Sequence, residues 1–424
     1  MERFKGTLYD FQTEAVKYIL ERCYCILAYD AGVGKTPITI ATSLNVTGTT
    51  LVVVPAFLKV NWLSEYNKFT PTLDVIIVNK VSDIRKCDVM VVSYSMIKKL
   101  LHDLIKIAFN FIALDEVHYI KNLSSLRTKA IHNLISSTQP EYCVGLSATP
   151  IKNRVSEFYS LFKICSYVKF PTNGLSVMSK FRTLFSFATY FSNPIEMNIG
   201  GRKITKFEGH RNVGELKELM ANKYKRKKIS ECVTLPKLSY KEVLVKDTSA
   251  EKSLAQAWED YGAESTVFPV AKAVNALSKA KYTSEYVLEL LESVDSVVVF
   301  SDHVKAVEEI TNLLTAKRVK VVGITGQTVV NKRAEYVKQF QEKKIQVLVA
   351  TIGALKEGVT LTATNHLIFN DISWVPADNF QAERRIYRIS QTLPCLVHFI
   401  LSGKIDKHIV KTLQKKQATI EEVL

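Results

Sequence analysis

Short apolar runs alternate along this chain with longer stretches in which apolar positions recur every three or four residues. In the first part the runs are Cys23 to Ala28, Thr50 to Val54, Asp88 to Ser93, Phe111 to Leu114 and Tyr142 to Leu146. Within each run successive residues are apolar, so both faces of the strand need cover, and a parallel sheet between two layers of helices supplies it. The same rhythm returns at Ser296 to Phe300, Val319 to Ile324, Gln346 to Ala350, His366 to Asn370 and Leu396 to Leu401. With 424 residues the chain exceeds one ordinary core. The pattern predicts an α/β protein with two doubly wound parallel-sheet lobes, over residues 1–165 and 236–424.

Between the lobes, residues 166–235 lose the strand rhythm and become rich in aromatics and bases, including Phe181, Phe185, Phe187, Tyr190 and Phe191. A basic, mainly helical insertion or bridge is expected here, its aromatics forming a small core more readily than a platform for bases.

Composition narrows the classes. Apolar residues make up 47% and charged residues 23%, and no apolar run approaches the length of about 20 residues that a membrane span needs. No membrane partner is expected. The start, MERFKGTLYDFQ, lacks a secretory apolar core, and the seven cysteines show neither zinc nor disulfide spacing. Cytoplasmic, reduced thiols follow, with Cys23, Cys25, Cys143 and Cys395 read as small hydrophobes. The formal charge is +16, and residues 166–235 hold thirteen Lys/Arg against five Asp/Glu. Such an excess points to a polyanion, and Lys225, Arg226, Lys227 and Lys228 are its candidate nucleic-acid contacts.

Two motifs carry the chemistry. After the first strand comes YDAGVGKT and then a helical run. In that context Gly32 and Gly34 let backbone amides approach phosphate, Lys35 reaches the β- and γ-phosphates, and the Thr36 hydroxyl is a ligand for Mg²⁺. Tyr29 stands where the general phosphate-loop pattern has glycine. The second motif, FIALDEVH, ends an apolar strand on two carboxylates: Asp115 for Mg²⁺, Glu116 to orient and deprotonate the attacking water. ATP hydrolysis is therefore expected. Downstream, Arg385 and Arg388 lie three apart on a predicted helical stretch and serve as candidate arginine fingers, whereas Arg384 is expected to face solvent or pair with an acid. Ser147 and Thr149 are placed either to couple phosphate loss to movement or to cap a helix, and Gly353 and Gly358 to let a loop approach a sugar-phosphate backbone.

In order along the chain, LYDFQTEAV, LAYDAGVGKT, LVVVPAFLKVNW, LDEVHYIKN, GLSATPIKN, RKKISECVTLPK, VLVATIGALKEGVTLTATNHLIFNDISWVP and QAERRIYRISQ resemble the motif blocks of superfamily 2 helicases, and within them the Snf2-type translocases. The resemblance implies two RecA-like lobes with ATP and Mg²⁺ in the cleft and DNA across both. It places Gln12 at the adenine and groups Asp30 and Gln381 with the nucleotide site. It also sets Ser147, Thr149 and Gly358 as coupling residues and Thr351 beside the nucleic acid. Tyr387 and Ser390 depart from the family's usual histidine and glycine. At this length no chromatin-reader module is expected. The chain looks most like compact bacteriophage helicases and annealing helicases, which implies a monomer acting on double-stranded, forked or branched DNA in a bacterial host. An RNA-directed DExH helicase and an ATP-gated clamp without turnover are the alternatives.

Overall fold

The computed structural model describes residues 4–151, 154–167, 180–199, 202–245, 267–355, 359–402, 406, 409–411 and 413. The chain divides after Cys232 into two compact units. In the first, the strands are β1 (Tyr24–Tyr29), β2 (Thr49–Val54), β3 (Val75–Val78), β4 (Val89–Ser93), β5 (Phe109–Asp115) and β6 (Tyr142–Leu146). Helices α1 (Asp10–Arg22), α2 (Lys35–Ser43), α3 (Lys59–Phe69), α4 (Tyr94–Leu104), α5 (Leu126–Thr138) and α6 (Phe158–Cys165) connect and cover them. Every residue of β1 is buried, as the uninterrupted apolar run YCILAY requires. Helix α4 buries Ile97, Leu100 and Leu104, spaced at three and four, on the same core as Met90 and Val92 of β4.

Residues 180–227 supply α7 (Leu184–Phe191), β7 (Asn193–Ile199), β8 (Arg202–Glu208), α8 (Val213–Met220) and β9 (Tyr224–Lys227). Phe181, Phe187 and Phe191 are buried in the core of the first unit, while Phe185 stays exposed against Phe207. The segment is less helical than expected, because β7 and β8 pair as an antiparallel hairpin. It also belongs to the first unit, since β9 extends the first sheet to β3-β4-β2-β5-β6-β1-β9, parallel throughout.

The second unit has a six-stranded parallel sheet, β10-β15-β14-β11-β13-β12. Its strands are β10 (Leu238–Val245), β11 (Val297–Ser301), β12 (Val321–Ile324), β13 (Val347–Thr351), β14 (His366–Phe369) and β15 (Cys395–Ser402). Its helices are α9 (Val267–Ser278), α10 (Ala280–Leu291), α11 (Val304–Ala316), α12 (Val330–Gln341), α13 (Ile352–Leu355) and α14 (Pro376–Glu383). All ten expected strands are present to within two residues, and β3, β9 and β10 join them. Among the described residues no helix is long and apolar enough to cross a membrane.

Beyond the carboxyl ends of β11 and β14 lies a buried ionic cluster. Asp371 Oδ2 is 2.8 Å from His303 Nδ1 and 3.9 Å from Lys272 Nζ, and Asp371 Oδ1 accepts from the Asp302 amide at 3.2 Å and from the Ser301 hydroxyl. Burial raises the Asp371 carboxyl, but the His303 bond and then Lys272 outweigh it and bring the group down from 3.8 to about 2. Unfolded, it returns to its ordinary value, so its stabilisation is complete above that value and is lost as pH falls through about 2. The contribution is roughly 2 kcal/mol. Asp371→Asn is therefore expected to lower stability at neutral pH and to flatten the acid limb between about pH 4 and 2. Denaturant melts across that range check it, and an unchanged acid limb would contradict the assignment.

Candidate functional site

In the first sheet, β5, β6 and β1 are neighbours and run parallel, so their carboxyl ends meet along one edge. The residues that follow them are Asp115-Glu116, Ser147-Ala148-Thr149 and Asp30 to Lys35. Motifs separated by more than a hundred residues in sequence thus share one edge, the place where open α/β sheets bind ligands.

The loop from β1 to α2 is shaped by its glycines. Gly32 and Gly34 have φ of 88° and 81°, in the left-handed region that glycine adopts without penalty. A Cβ on Gly34 would stand 2.4 Å from Gln12 Nε2 and 3.1 Å from Pro37 Cγ, so the position excludes a side chain for steric reasons as well. Gly34 is the N-cap of α2 and has no side chain to satisfy the first amides, while Pro37, in the first turn, has no amide to satisfy. Lys35 and Thr36 open the helix, which fits an anion at its N-terminus. Lys35 Nζ donates to the Tyr29 carbonyl at 2.8 Å and to the Asp30 carbonyl at 3.0 Å, so the ammonium is folded onto its own loop. Gln12 is buried with its amide engaged at both ends: Nε2 donates to the Val33 carbonyl at 3.0 Å and Oε1 accepts from the Tyr9 amide at 3.1 Å. In this arrangement Gln12 braces the loop from α1. Asp30 is buried and its Oδ2 accepts from the Ile229 amide at 3.1 Å.

At the end of β5, Asp115 is held by a residue to which the sequence pattern assigns no role. Trp62 Nε1 on α3 donates to Asp115 Oδ2 at 2.8 Å, and the Glu116 amide donates to Oδ1 at 3.0 Å. Tyr94, at the start of α4, donates to the Asp115 carbonyl at 2.8 Å. Trp62 ends the block LVVVPAFLKVNW, and its indole N–H is the chemical signal: a buried indole generally finds an acceptor. Glu116 has φ of 52°, a left-handed turn that costs a non-glycine residue about 1 kcal/mol and marks a backbone constrained by its surroundings. Its Oε2 lies 3.2 Å from His118 Nδ1 and accepts from Ser147 Oγ at 3.4 Å. Ser147 Oγ is also 3.2 Å from His118 Nδ1 and accepts from the Thr149 amide at 3.1 Å. Glu116, His118, Ser147 and Thr149 therefore form one connected polar group. Among these, His118 had no assigned role in the sequence pattern. Gly145 permits this closure, because a Cβ there would lie 2.9 Å from Val117 Cγ2 and 2.7 Å from Ile26 Cδ1.

The basic run divides by strand alternation. Lys225 and Lys227 sit two apart on β9, 3.5 and 3.2 Å from Glu14 of α1, over the rings of Tyr18 and Phe11. The Lys227 hydrogen bond, then the charge of Lys225, hold the Glu14 carboxyl below its usual range. Arg226 falls on the other face of the strand, and Lys228, past its end, is exposed.

In the second unit, α14 ends at Glu383, so Arg385 and Arg388 lie in the turns beyond it and not on a helix. They still converge. Arg385 Nε donates to the Gln381 carbonyl at 2.8 Å and Nη1 to the Val359 carbonyl at 3.1 Å. Arg388 Nε donates to the Arg384 carbonyl at 2.9 Å and Nη1 to Thr360 Oγ1 at 2.6 Å. Burial and the neighbouring Arg385 guanidinium both act against the charge of Arg388, which is the setting of a cation that gains from an arriving anion. Of the two expectations for Arg384, solvent or an acid, the structure agrees with the second: the side chain is buried over the rings of Phe380 and Tyr387, with its charge acting on Glu383. Gln381 is buried, and Thr351 ends β13 with little exposure. Gly353 lies in α13, and Gly358 lies outside the described residues.

Residues 11–294 match the SNF2-related domain and residues 279–390 match the helicase conserved C-terminal domain. The DNA annealing helicase and endonuclease ZRANB3 of Bos taurus is 26% identical over 446 residues, taking in 98% of this chain and 40% of that protein. The SWI/SNF-related matrix-associated actin-dependent regulator of chromatin subfamily A-like protein 1 of Xenopus laevis is 26% identical over 434 residues, with 97% of this chain and 43% of that protein covered. The chain thus spans about two fifths of the length of these relatives. The Sulfolobus solfataricus SWI2/SNF2 ATPase core, solved in complex with dsDNA, aligns with 100% of this chain and 94% of its own, at 21% identity and a TM-score of 0.47.

The loop geometry generates a prediction. Gly34→Ala is expected to destabilise the first unit by about 1–3 kcal/mol, through the left-handed strain and the contact with Gln12. In a Gln12→Ala background the added cost of Gly34→Ala should shrink, because the clash with Gln12 is gone and only the strain and the milder Pro37 contact remain. Additive losses in denaturant melts of the two single variants and the double variant would show that Gln12 does not press on the loop.

Proposed function

The chain belongs to the SNF2-related family, and on that premise we propose that it is an ATP-driven DNA helicase or translocase, working as a monomer on double-stranded, forked or branched DNA. One observation carries the reading: Lys35, Asp115-Glu116 and Ser147 follow three adjacent parallel strands and so share one sheet edge. The relative named a DNA annealing helicase and endonuclease supports DNA as the substrate.

In this mechanism the amides of the Gly32 to Thr36 loop and the Lys35 ammonium bind the β- and γ-phosphates of ATP, and Lys35 exchanges its two backbone carbonyls for phosphate oxygens. Thr36 and Asp115 would hold Mg²⁺, with Trp62 fixing the Asp115 carboxylate. Mg²⁺, when bound, neutralises charge that develops on the phosphate oxygens. Glu116 orients the attacking water and takes its proton at the carboxylate, and Ser147 senses that change through its bond to Glu116 Oε2. Gln12 and Asp30 keep the loop in shape for nucleotide, with Gln12 also the candidate adenine contact, and Gln381 is grouped with the same site. Arg385 and Arg388 are the candidate arginine fingers that supply positive charge to the transition state. Thr149 and Gly358 serve as coupling residues. Thr351 is a candidate DNA contact. Of the basic run, Lys228 is the foremost candidate for a phosphate contact, since Lys225 and Lys227 are held on α1 and Arg226 is partly covered.

Turnover on a panel of single-stranded, duplex, forked and four-way DNA, with RNA alongside, tests the proposal. Stimulation by duplex or branched DNA is expected, and stimulation by RNA alone would overturn it. Lys35→Ala should abolish turnover, whereas Glu116→Gln should retain ATP but fail to cleave it. Equal loss of nucleotide affinity in both would mean that the roles are wrongly divided. Arg388→Ala should reduce turnover at saturating ATP by about 10³-fold or more. Lys228→Ser should reduce the slope of log affinity against log salt by about 0.9 on duplex DNA, and an unchanged slope would remove it as a phosphate contact.

A further inference from the structure

The segment that leads out of the first unit is fastened to the phosphate loop. Strand β9 pairs with β1 so that Lys227 lies opposite Tyr29, and the Asp30 amide donates to the Lys227 carbonyl at 3.1 Å. Two residues later the Ile229 amide donates to Asp30 Oδ2 at 3.1 Å. The same Asp30, through its carbonyl, accepts from Lys35 Nζ at 3.0 Å. Asp30 is 5% exposed and Ile229 is 2% exposed, so water does not compete well for these bonds. The turn that contains Ile229 is internally braced as well, because the Lys228 amide donates to Glu231 Oε2 at 3.0 Å. The first unit ends at Cys232, three residues beyond Ile229, and the second begins at Val233.

We propose that Asp30 is a positioning residue that tethers the connector between the two units to the phosphate loop, so that displacement of the connector alters the setting of Lys35. The inference rests on the ATPase reading above and adds to it a hydrogen-bonded route for DNA-dependent control. The connector cannot shift at Ile229 without drawing on the Asp30 carboxylate. That carboxylate and the Lys35-bound carbonyl belong to one residue, so a rotation about the Asp30 backbone changes both partners together. The hydrogen-bond donor is a backbone amide, and its loss can be engineered without touching the nucleotide site. Ile229 opens a short helical turn, and Lys228 before it has φ of −80° and ψ of 151°, both compatible with proline at position 229.

Ile229→Pro in the full chain removes the amide, and Ile229→Ala removes the same side-chain packing but keeps the amide. Two quantities are measured for each: the ratio of duplex-stimulated to basal ATP turnover, and the duplex-induced change in hydrogen exchange at amides 31–36. Ile229→Ala should behave as the unsubstituted protein does. Ile229→Pro should keep basal turnover and duplex affinity within about twofold, lower the stimulation ratio by about tenfold and lose the exchange response. Asp30→Ala should lower the ratio similarly, and Asp30→Asn, which retains an acceptor oxygen, should restore it. Equal ratios and equal exchange responses in Ile229→Pro and Ile229→Ala would overturn the tether while leaving the ATPase reading intact. Absence of any turnover in the unsubstituted protein would overturn that reading and the tether with it.

Discussion

A parallel sheet aligns the carboxyl ends of its strands, and the candidate site depends on that constraint. At this edge the strand carbonyls run out of neighbours and the chain must turn, so the residues there take their conformation from loops and from whatever side chains reach them. Three adjacent strands, β5, β6 and β1, deliver the carboxylate pair, the Ser-Ala-Thr turn and the phosphate loop to one line. A site of this kind needs no cavity carved into the core. The core beneath it can remain uniformly apolar, as the full burial of β1 and of all but one residue of β5 shows.

Each charged group at the site carries dedicated partners, because a buried charge without them would be expelled or neutralised. The Asp115 carboxylate takes an indole N–H and a backbone N–H, and that of Asp30 takes a backbone N–H from across the sheet edge. Glu116 is the strained member, with its left-handed backbone fixed by the bonds of its side chain to His118 and Ser147. Those bonds tie the end of β5 to the end of β6, so a change in the protonation or contacts of Glu116 is felt at Thr149. The second unit treats Asp371 in the same way, with His303, Lys272, a hydroxyl and an amide around one buried carboxylate.

The positive excess is not spread as bare surface charge. Half of it falls in residues 166–235, yet two of the lysines in the run from Lys223 to Lys228 lie over aromatic rings of α1 with Glu14 between them. Net charge describes the far field that a polyanion meets, whereas the identity of the contacting cations depends on which face of β9 each side chain takes. Alternation along that strand gives two of them to the protein itself.

The sequence by itself determined the two parallel-sheet lobes, the ten strands with continuous apolar runs, and the motifs GVGKT and DEVH. Each of these is a local pattern: burial on both faces demands consecutive apolar residues, and phosphate or metal chemistry demands particular side chains at fixed short spacings. Tertiary structure alone decided the rest. Strand β9 reads as a cationic run because its place in the sheet comes from backbone bonds to β1, to which side-chain pattern gives no clue. The β7–β8 hairpin was hidden for a related reason, since the alternation of its residues is diluted by bases and acids. Trp62 came to Asp115, and Ser147 to His118, through packing across elements distant in sequence, and Arg384 was buried by rings that its neighbours in sequence only partly announce. The link from Ile229 to Asp30 spans 199 residues, a separation at which only the folded chain can specify a contact.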